Sequence, residues 1–495
     1  MENSIITKAD IPSVSGLFNK ASLHDATFII FGATGDLSMR KLFPALYNLR
    51  VDGLLPDDFK IVTVARSNKT LESLLERFKS GVQRFSRSGF KEEIWQQLAE
   101  RTTYVQVNYG DPQSYATLKA ELGMDKQDNA QRRYLFYLST PPTSFNVIIE
   151  GLGKNGLVTP AHHNAGPPTR VVFEKPFGRD LSSALELNAL AHQYLDEEQL
   201  FRMDHYLGKE TVQNILIFRF ANAIFEPIWN RRYIHHVRIT AFENIGIEGR
   251  GAFYEEAGVI RDVLQNHLLQ ILALCAMEPP NSFEAEHIRD ERAKVFKALR
   301  HLDASSVGSD VSLAQYAGYR EEDGVDRDSR TPTYASVKLF IDNWRWAGVP
   351  FILSTGKNLK KKMTQIEIVY TPVPLCLFKE NDVCMKLEPN VLTIRIQPEE
   401  GISLRIGTKT PGEKEDVSPV QMDFDFNQSF KEKAQQEAYE KLLLDCLRGN
   451  QTLFARQEEV EHMWHFVAPL LDGAQDGSIP MGTYEPGSAG PEVKP

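Results

Sequence analysis

Cysteine is scarce in this chain, and its four thiols, Cys275, Cys376, Cys384 and Cys446, show no metal-ligand spacing. So sparse a set suits a reducing compartment without disulfides. Cys275 follows the largely apolar run 268–274, where a buried, unreactive thiol is expected, and nothing in the spacing of Cys376 and Cys384 favours a redox pair. Long apolar runs are also missing. No stretch approaches the roughly 18 residues of a membrane-spanning helix. Basic residues do not predominate: 56 Lys and Arg face 66 Asp and Glu, for a net charge of −10. That balance argues against a general nucleic-acid or membrane-surface binder, while leaving room for a local basic pocket that takes an anionic metabolite. Residues 1–25 lack the basic-then-apolar layout of a signal peptide and read as a loose polar arm. There is no internal repeat. At 495 residues the chain exceeds one ordinary core, which predicts two large domains.

What is present begins with residues 27–31, an apolar, β-branched and aromatic run suited to a strand buried on both faces. Gly32-Ala33-Thr34-Gly35-Asp36-Leu37-Ser38 follows, and residues 39–49 then show helical spacing at Leu42, Phe43, Leu46 and Leu49. Strand, glycine turn and helix are the context of a dinucleotide-binding turn, where backbone N–H groups meet a pyrophosphate at the positive end of a helix. The pattern G-x-x-G-x-x-S is sparser than the full fingerprint and also suits a plain tight turn. A second strand over 60–65 ends at Arg66. NAD enzymes carry an acid there for the ribose hydroxyls, whereas arginine suits a 2′-phosphate and points to NADP, or is an ordinary surface arginine.

Further strands are predicted at 102–107, 133–138 and 169–173, with helices over 71–85, 90–101 and 144–152, a βαβ alternation. The strand at 133–138 runs into Ser139-Thr140-Pro141-Pro142, and the next ends in Glu174-Lys175-Pro176. That proline cannot pair in a ladder, and its peptide bond is cis or trans. Lys175 either points into a cleft or decorates a sheet edge.

The densest ionisable stretch is Arg202-Met203-Asp204-His205-Tyr206-Leu207-Gly208-Lys209-Glu210, ahead of an apolar segment. Buried ions need partners, so it is either a solvated helix start or a site. His205 and Lys209 share a face if a helix starts here. Residues 255–277 show helical spacing and carry His267. Asp262 lies five positions earlier, about 140° round an α-helix, so the two are not expected to share a face closely. Alternating strands follow at 237–243, 335–341, 365–370, 391–397, 402–406 and 422–426, then helices at 435–447 and 458–471. The acidic stretch 318–331 reads as a loop, and residues 473–495, rich in Gly and Pro, as a flexible tail.

Together, the Gly32–Leu37 turn, Glu174-Lys175-Pro176-Phe177-Gly178 and the 202–210 stretch stand in the order and spacing of the glucose-6-phosphate dehydrogenase family, which this chain resembles. Further matching blocks are Phe220-Ala221-Asn222, Trp229-Asn230-Arg231, Gly246-Ile247-Glu248-Gly249-Arg250-Gly251, the run 260–270 and the run 344–351. The resemblance covers about residues 28–471, and Asp204-His205-Tyr206-Leu207-Gly208-Lys209 is its most specific element. It implies an α/β Rossmann N-terminal domain over 26–202. An α+β domain over 203–472, with a large, mostly antiparallel sheet, would bind substrate and join copies into a cytoplasmic homodimer or homotetramer. The implied reaction is oxidation of glucose 6-phosphate at C1 by NADP to 6-phosphoglucono-1,5-lactone, the first step of the oxidative pentose phosphate pathway.

By that resemblance His267 is the general base and Asp204 the carboxylate that orients it. His205, Tyr206 and Lys209 bind the phosphate, and Glu243 and Asp262 bind ring hydroxyls. Lys175 sits between substrate and nicotinamide, and Lys357 approaches the sugar from the second domain. The cofactor falls to Gly32, Ala33, Thr34, Gly35, Asp36, Leu37, Arg66 and Lys175, with no metal implied. Lys362 stands where the family often has arginine, keeping charge but not bidentate geometry, and is carried as a substrate residue. Ser354 replaces an arginine of a second, structural NADP site, and the tail lacks that site's aromatic segment, so no second site is expected. A sugar dehydrogenase of the glucose–fructose oxidoreductase type shares the Rossmann turn and the Glu-Lys-Pro strand end but lacks the Asp204–Lys209 block. An inactive NADP sensor would have lost Asp204, His267 or Lys175, and all three are present.

Overall fold

The β-branched and aromatic segments of the first third become strands β1 (Ala26–Phe31), β2 (Phe59–Ala65), β3 (Thr102–Gln106), β4 (Arg133–Leu138), β5 (Arg170–Phe173) and β6 (Leu200–Met203). They run parallel in the order β3-β2-β1-β4-β5-β6. The computed structural model describes residues 25–495 except 125, 127, 128, 130, 164–167, 304–307, 376, 378–386, 413–416, 431–435 and 492. The expected polar arm and the Cys376–Cys384 pair therefore lie outside the described residues. All six residues of β1 are buried, as a strand covered on both faces requires. Helices Leu71–Phe85, Glu92–Glu100 and Phe145–Lys154 fall where apolar spacing placed them. Helix Pro112–Leu122 was not anticipated, although its signals are present: an Asp111 cap, proline at the first turn, and Gly123 in the left-handed region at φ 58°.

The doubly wound order reverses direction between β1 and β4, the switch point where such sheets bind ligands. Ser139, just past β4, donates from Oγ to Phe31 O at 2.7 Å. Gly32 turns away there with φ 75°, and a Cβ on it would lie 2.6 Å from Ser139 O. No other residue fits that turn without displacing the neighbouring strand end.

The second sheet contains β7 (Ile234–Phe242), β8 (Val311–Tyr316), β9 (Tyr334–Leu339), β10 (Phe351–Gly356), β11 (Met363–Tyr370), β12 (Val391–Gln397), β13 (Gly401–Lys409) and β14 (Val417–Asp425). These pair antiparallel except for β7 with β10. Burial alternates along β11 and β12, so one face of the sheet is covered and the other is more accessible. Cys275 is buried, and burial pushes its thiol up to about 12. No described helix is long and apolar enough to cross a membrane.

Two features depart from the expected boundaries. The C-terminal part of the chain returns to the first domain. There β15 (Phe454–Ala455) pairs antiparallel with β6, and Glu440 of helix Ala438–Arg448 accepts from Asn48 at 2.7 Å and pairs with Arg87. The expected flexible tail is ordered as well. Helix Gln457–Asp476 runs into it, and β16 (Met481–Tyr484) adds a parallel strand beside β8. Glycine and proline suggested flexibility, but Ile479, Tyr484 and Val493 bury their side chains, and that apolar contact anchors the segment.

Candidate active site at the domain junction

Asp204 follows directly on β6, at the carboxyl edge of the first sheet. The residues after it form turns rather than a helix: Leu207 N–H donates to Asp204 O, and Lys209 N–H to Tyr206 O, each at 3.1 Å. Helix Glu210–Phe220 starts only afterwards, so His205 and Lys209 do not share a helical face. Gly208 lets helix Ala438–Arg448 approach, since a Cβ there would lie 2.7 Å from Ala438 O.

His267 arrives from a broken helix. Gly258, at φ 56° and ψ 170°, interrupts the turns from Gly251, and Ile260–Leu268 then winds as a π-helix before α-geometry resumes at Leu269–Ala276. The expected separation of Asp262 from His267 assumed α-helical winding and does not hold. An i→i+5 ladder brings position 267 back over position 262, and both groups reach the same cleft. Each lies in the other's electrostatic field.

His267 Nδ1 meets Asp204 Oδ1 at 2.5 Å, and the same oxygen accepts from Tyr206 N–H at 2.9 Å. The two side chains are 2% and 5% exposed as residues, so the pair is essentially dry. Tyr206 stacks on the imidazole with centroids 4.1 Å apart, and His205 meets it edge-on at 4.6 Å. Burial lowers the His267 imidazole well below its ordinary pKa, and the nearby Lys175 and Lys209 charges push the same way. Burial raises the Asp204 carboxyl, against the Tyr206 N–H and the charges of Lys175 and Lys209. A neutral imidazole that donates its Nδ1–H in a hydrogen bond to Asp204 keeps that proton and leaves the Nε2 lone pair free to accept one.

Four further groups alternate in charge. Lys175 Nζ donates to Asp262 Oδ1 at 3.1 Å and to Asp262 O at 2.7 Å. Lys357 Nζ lies 2.8 Å from Glu243 Oε2 and 3.7 Å from Asp262 Oδ2. Burial alone would raise the Asp262 carboxyl, but the two ammonium groups hold it well below the usual carboxylate range. The parallel register of β7 and β10 pairs Phe242 with Gly356, which makes Glu243 and Lys357 neighbours at adjoining strand ends. The Lys175–Pro176 bond is cis.

On the other side of the dyad, Lys209 Nζ donates to Gln397 Oε1 and sits 3.8 Å from the Tyr206 ring centroid. Burial lowers this ammonium to about 8, and the field of Lys362 adds to the effect. Lys362 is exposed at the cleft rim. Burial also pushes His205 well below its ordinary range, so it serves as a neutral hydrogen-bonding group rather than a cation.

Sequence reasoning missed several supporting residues. Gln397 ties Lys209 to Tyr206 and Thr364, donating from Nε2 at 3.4 and 3.1 Å. Tyr439 stacks beside His205 with centroids 6.4 Å apart and donates to Glu174 at 3.1 Å, as Tyr137 does at 2.5 Å. Arg77 donates to Thr34 O at 2.5 Å and to Gly35 O at 3.4 Å, pinning the glycine turn. Of these, Gln397 alone has a local signal, its place at a strand end before Pro398; the other contacts join distant segments.

The glycine turn carries Ala33, Thr34 and Gly35 into a helix that opens at Asp36-Leu37. Ala33 N–H donates to Val64 O at 3.1 Å, and Gly35 N–H to Gly32 O at 2.8 Å. Arg66 is exposed where β2 ends, its guanidinium 5.5 Å from the Tyr109 ring centroid. A turn that only Gly32 can form and a helix start beside it fit the pyrophosphate of a nicotinamide dinucleotide. Asp204, His205 and His267 bring ligand-capable atoms within 4.8 Å of one another, but Asp204 and His267 already face each other, and the ammonium groups of Lys175 and Lys209 oppose a cation there.

A Rossmann turn and a buried acid–imidazole pair at the junction with an antiparallel domain define a two-domain, nicotinamide-nucleotide-dependent dehydrogenase. The NAD-binding domain of glucose-6-phosphate dehydrogenase matches residues 29–214, and the C-terminal domain of that enzyme matches 216–494. Glucose-6-phosphate 1-dehydrogenase of Chlamydia pneumoniae is 43% identical, covering 97% of this chain and 96% of that protein. Glucose-6-phosphate 1-dehydrogenase 2 of Mycobacterium bovis is 42% identical, covering 94% and 91%. A solved glucose-6-phosphate dehydrogenase in complex with its substrate glucose-6-phosphate superposes with a TM-score of 0.87 at 35% identity, over 95% of this chain and 97% of that one. The chain belongs to the glucose-6-phosphate dehydrogenase family.

Nitrogen-resolved NMR of labelled histidines tests the state of the dyad. His267 is expected to stay neutral and Nδ1-protonated from pH 8 down to pH 6, about half a unit below the free imidazole value. A midpoint at the ordinary imidazole pKa would contradict the burial argument.

Proposed function

We propose that this protein oxidises the C1 hydroxyl of glucose 6-phosphate to 6-phosphoglucono-1,5-lactone, with NADP as the hydride acceptor and His267 as the general base. The carrying observation is the 2.5 Å contact between His267 Nδ1 and Asp204 Oδ1, buried beside the alternating Lys175, Asp262, Lys357 and Glu243 charges and the Lys209 ammonium. When bound, NADP supplies the electrophilic ring that receives hydride. As hydride leaves C1, His267 takes the hydroxyl proton at Nε2, and Asp204 stabilises the imidazolium that forms. Asp262 and Glu243, ionised beside Lys175 and Lys357, accept hydrogen bonds from ring hydroxyls. Lys209 and Lys362 meet the phosphate charge, with His205 and Tyr206 as hydrogen-bonding partners. Arg66 in place of an acid supports NADP over NAD. Support for the substrate comes from the solved relative bound to glucose-6-phosphate and from the high identity to named enzymes.

His267→Asn is expected to lower turnover of glucose 6-phosphate by roughly 10²- to 10⁴-fold with little change in substrate affinity. Near-normal turnover would remove the base assignment. Side-by-side assays of NADPH and NADH formation test the cofactor. Arg66→Ala should raise the KM for NADP roughly tenfold or more and leave that for NAD almost unchanged. Equal effects on both would refute a 2′-phosphate contact.

The Lys209 ammonium, lowered to about 8, is present below that pH and lost above it. The kcat/KM for glucose 6-phosphate should therefore fall as pH rises through about 8. In Lys209→Gln that fall should disappear and the value at neutral pH should drop. A fall that persists unchanged in the variant would assign it to another group.

A further inference from the structure

Lys357 stands on a loop gripped from two sides. Towards β7, Glu243 N–H donates to Gly356 O at 2.9 Å, Asn358 N–H to Ile245 O at 2.8 Å, and Leu359 N–H to Glu243 O at 2.9 Å. The opposite side is held by the chain after β16. Tyr484 donates its hydroxyl to Lys357 O at 2.6 Å, Gly487 N–H donates to Asn358 O at 2.8 Å, and Lys360 N–H donates to Ser488 O at 2.8 Å. Tyr484 is 6% exposed and also meets Thr333 Oγ1 at 3.0 Å, while Lys357 N–H donates to Thr333 O at 3.0 Å. Farther along, Gly490 packs against the Tyr334 ring, and Tyr334 donates to Pro491 O.

The loop needs such support. Asn358 has φ 53°, in the left-handed region that asparagine tolerates better than most non-glycine residues and that the contacts on both sides hold in place. Lys357 is 4% exposed, and its ammonium reaches Glu243 and Asp262 only from this loop position. A shift of about 1 Å in such a group is enough to weaken a site severely.

We propose that Tyr484 and the strap it begins, residues 484–488, position Lys357 for the sugar and so set substrate affinity from the far end of the chain. The inference rests on the Lys357–sugar contact proposed above. The strap contacts named here all lie on the second domain, so cofactor affinity should not move with it.

Four variants of the full enzyme test this: Tyr484→Phe, a chain ending at Glu485, Lys357→Met, and Tyr484→Phe combined with Lys357→Met. Tyr484→Phe keeps the buried ring and removes the hydroxyl with its contacts to Lys357 O and Thr333. It should raise the KM for glucose 6-phosphate roughly fivefold to tenfold, leaving kcat and the KM for NADP within about twofold. The shortened chain should show the same pattern more strongly. If the strap acts through Lys357, the double variant should match Lys357→Met alone. Additive effects, or an equal rise in the KM for NADP, would overturn the strap's role. So would an unchanged substrate KM in Tyr484→Phe and the shortened chain beside a raised one in Lys357→Met. An unchanged substrate KM in Lys357→Met would remove that lysine's proposed sugar contact and the strap's role with it.

Discussion

Everything at this site depends on holding an acid and an imidazole together out of water. Burial disfavours both charged forms, and an unpaired carboxylate in such a place would be costly. Asp204 offsets part of that cost by sharing one oxygen between His267 and the Tyr206 N–H, with Lys175 and Lys209 contributing opposite charge, while its other oxygen has no hydrogen-bond partner among the described residues. The same burial keeps His267 neutral. A neutral, oriented imidazole is what proton abstraction requires, so the term that strains the pair also makes it useful.

The two partners come from distant stretches of the chain, Asp204 from the end of β6 and His267 from the Ile260–Leu268 turn, and the fold uses several devices to bring them together. Gly208 admits helix Ala438–Arg448, whose Tyr439 reaches Glu174 and flanks His205. The π-helical turn over Ile260–Leu268 then places Asp262 and His267 on one cleft, which regular α-winding would not do. One short element thereby supplies both the imidazole of the dyad and a carboxylate held between two lysines.

Charge differs between the two sides of the dyad. Asp262, Glu243, Lys175 and Lys357 form a mutually neutralising chain beside the dyad. Lys209 sits on the opposite side, donating to the neutral Gln397 amide and lying over the Tyr206 ring, and burial weakens its hold on its proton. A dianionic group arriving there would restore that ammonium and offset the cost of its burial.

Local chemistry was legible. Strand β1, its glycine turn, helix Leu71–Phe85 and strand β12 follow from runs, periods and breakers within a few residues, and so does Arg66 at the end of β2. The crowding of charge at 202–210 was equally plain, because ionisable side chains are countable before they fold. Family spacing then singled out Asp204 and His267, 63 positions apart in the chain. What could not be read was whatever depends on a distant partner. The 260–268 winding shows no local periodicity that separates π from α, and the ordered C-terminal strap depends on contacts with Thr333, Lys357 and Asn358. Side-chain types and local backbone preferences are properties of neighbouring residues, whereas the pairing of Lys357 with Tyr484, Lys209 with Gln397 and His205 with Tyr439 exists only once packing has closed long loops. The sequence by itself determined which groups were available and which segments could be strands or helices. The tertiary structure alone decided which of those groups met, and in what dielectric.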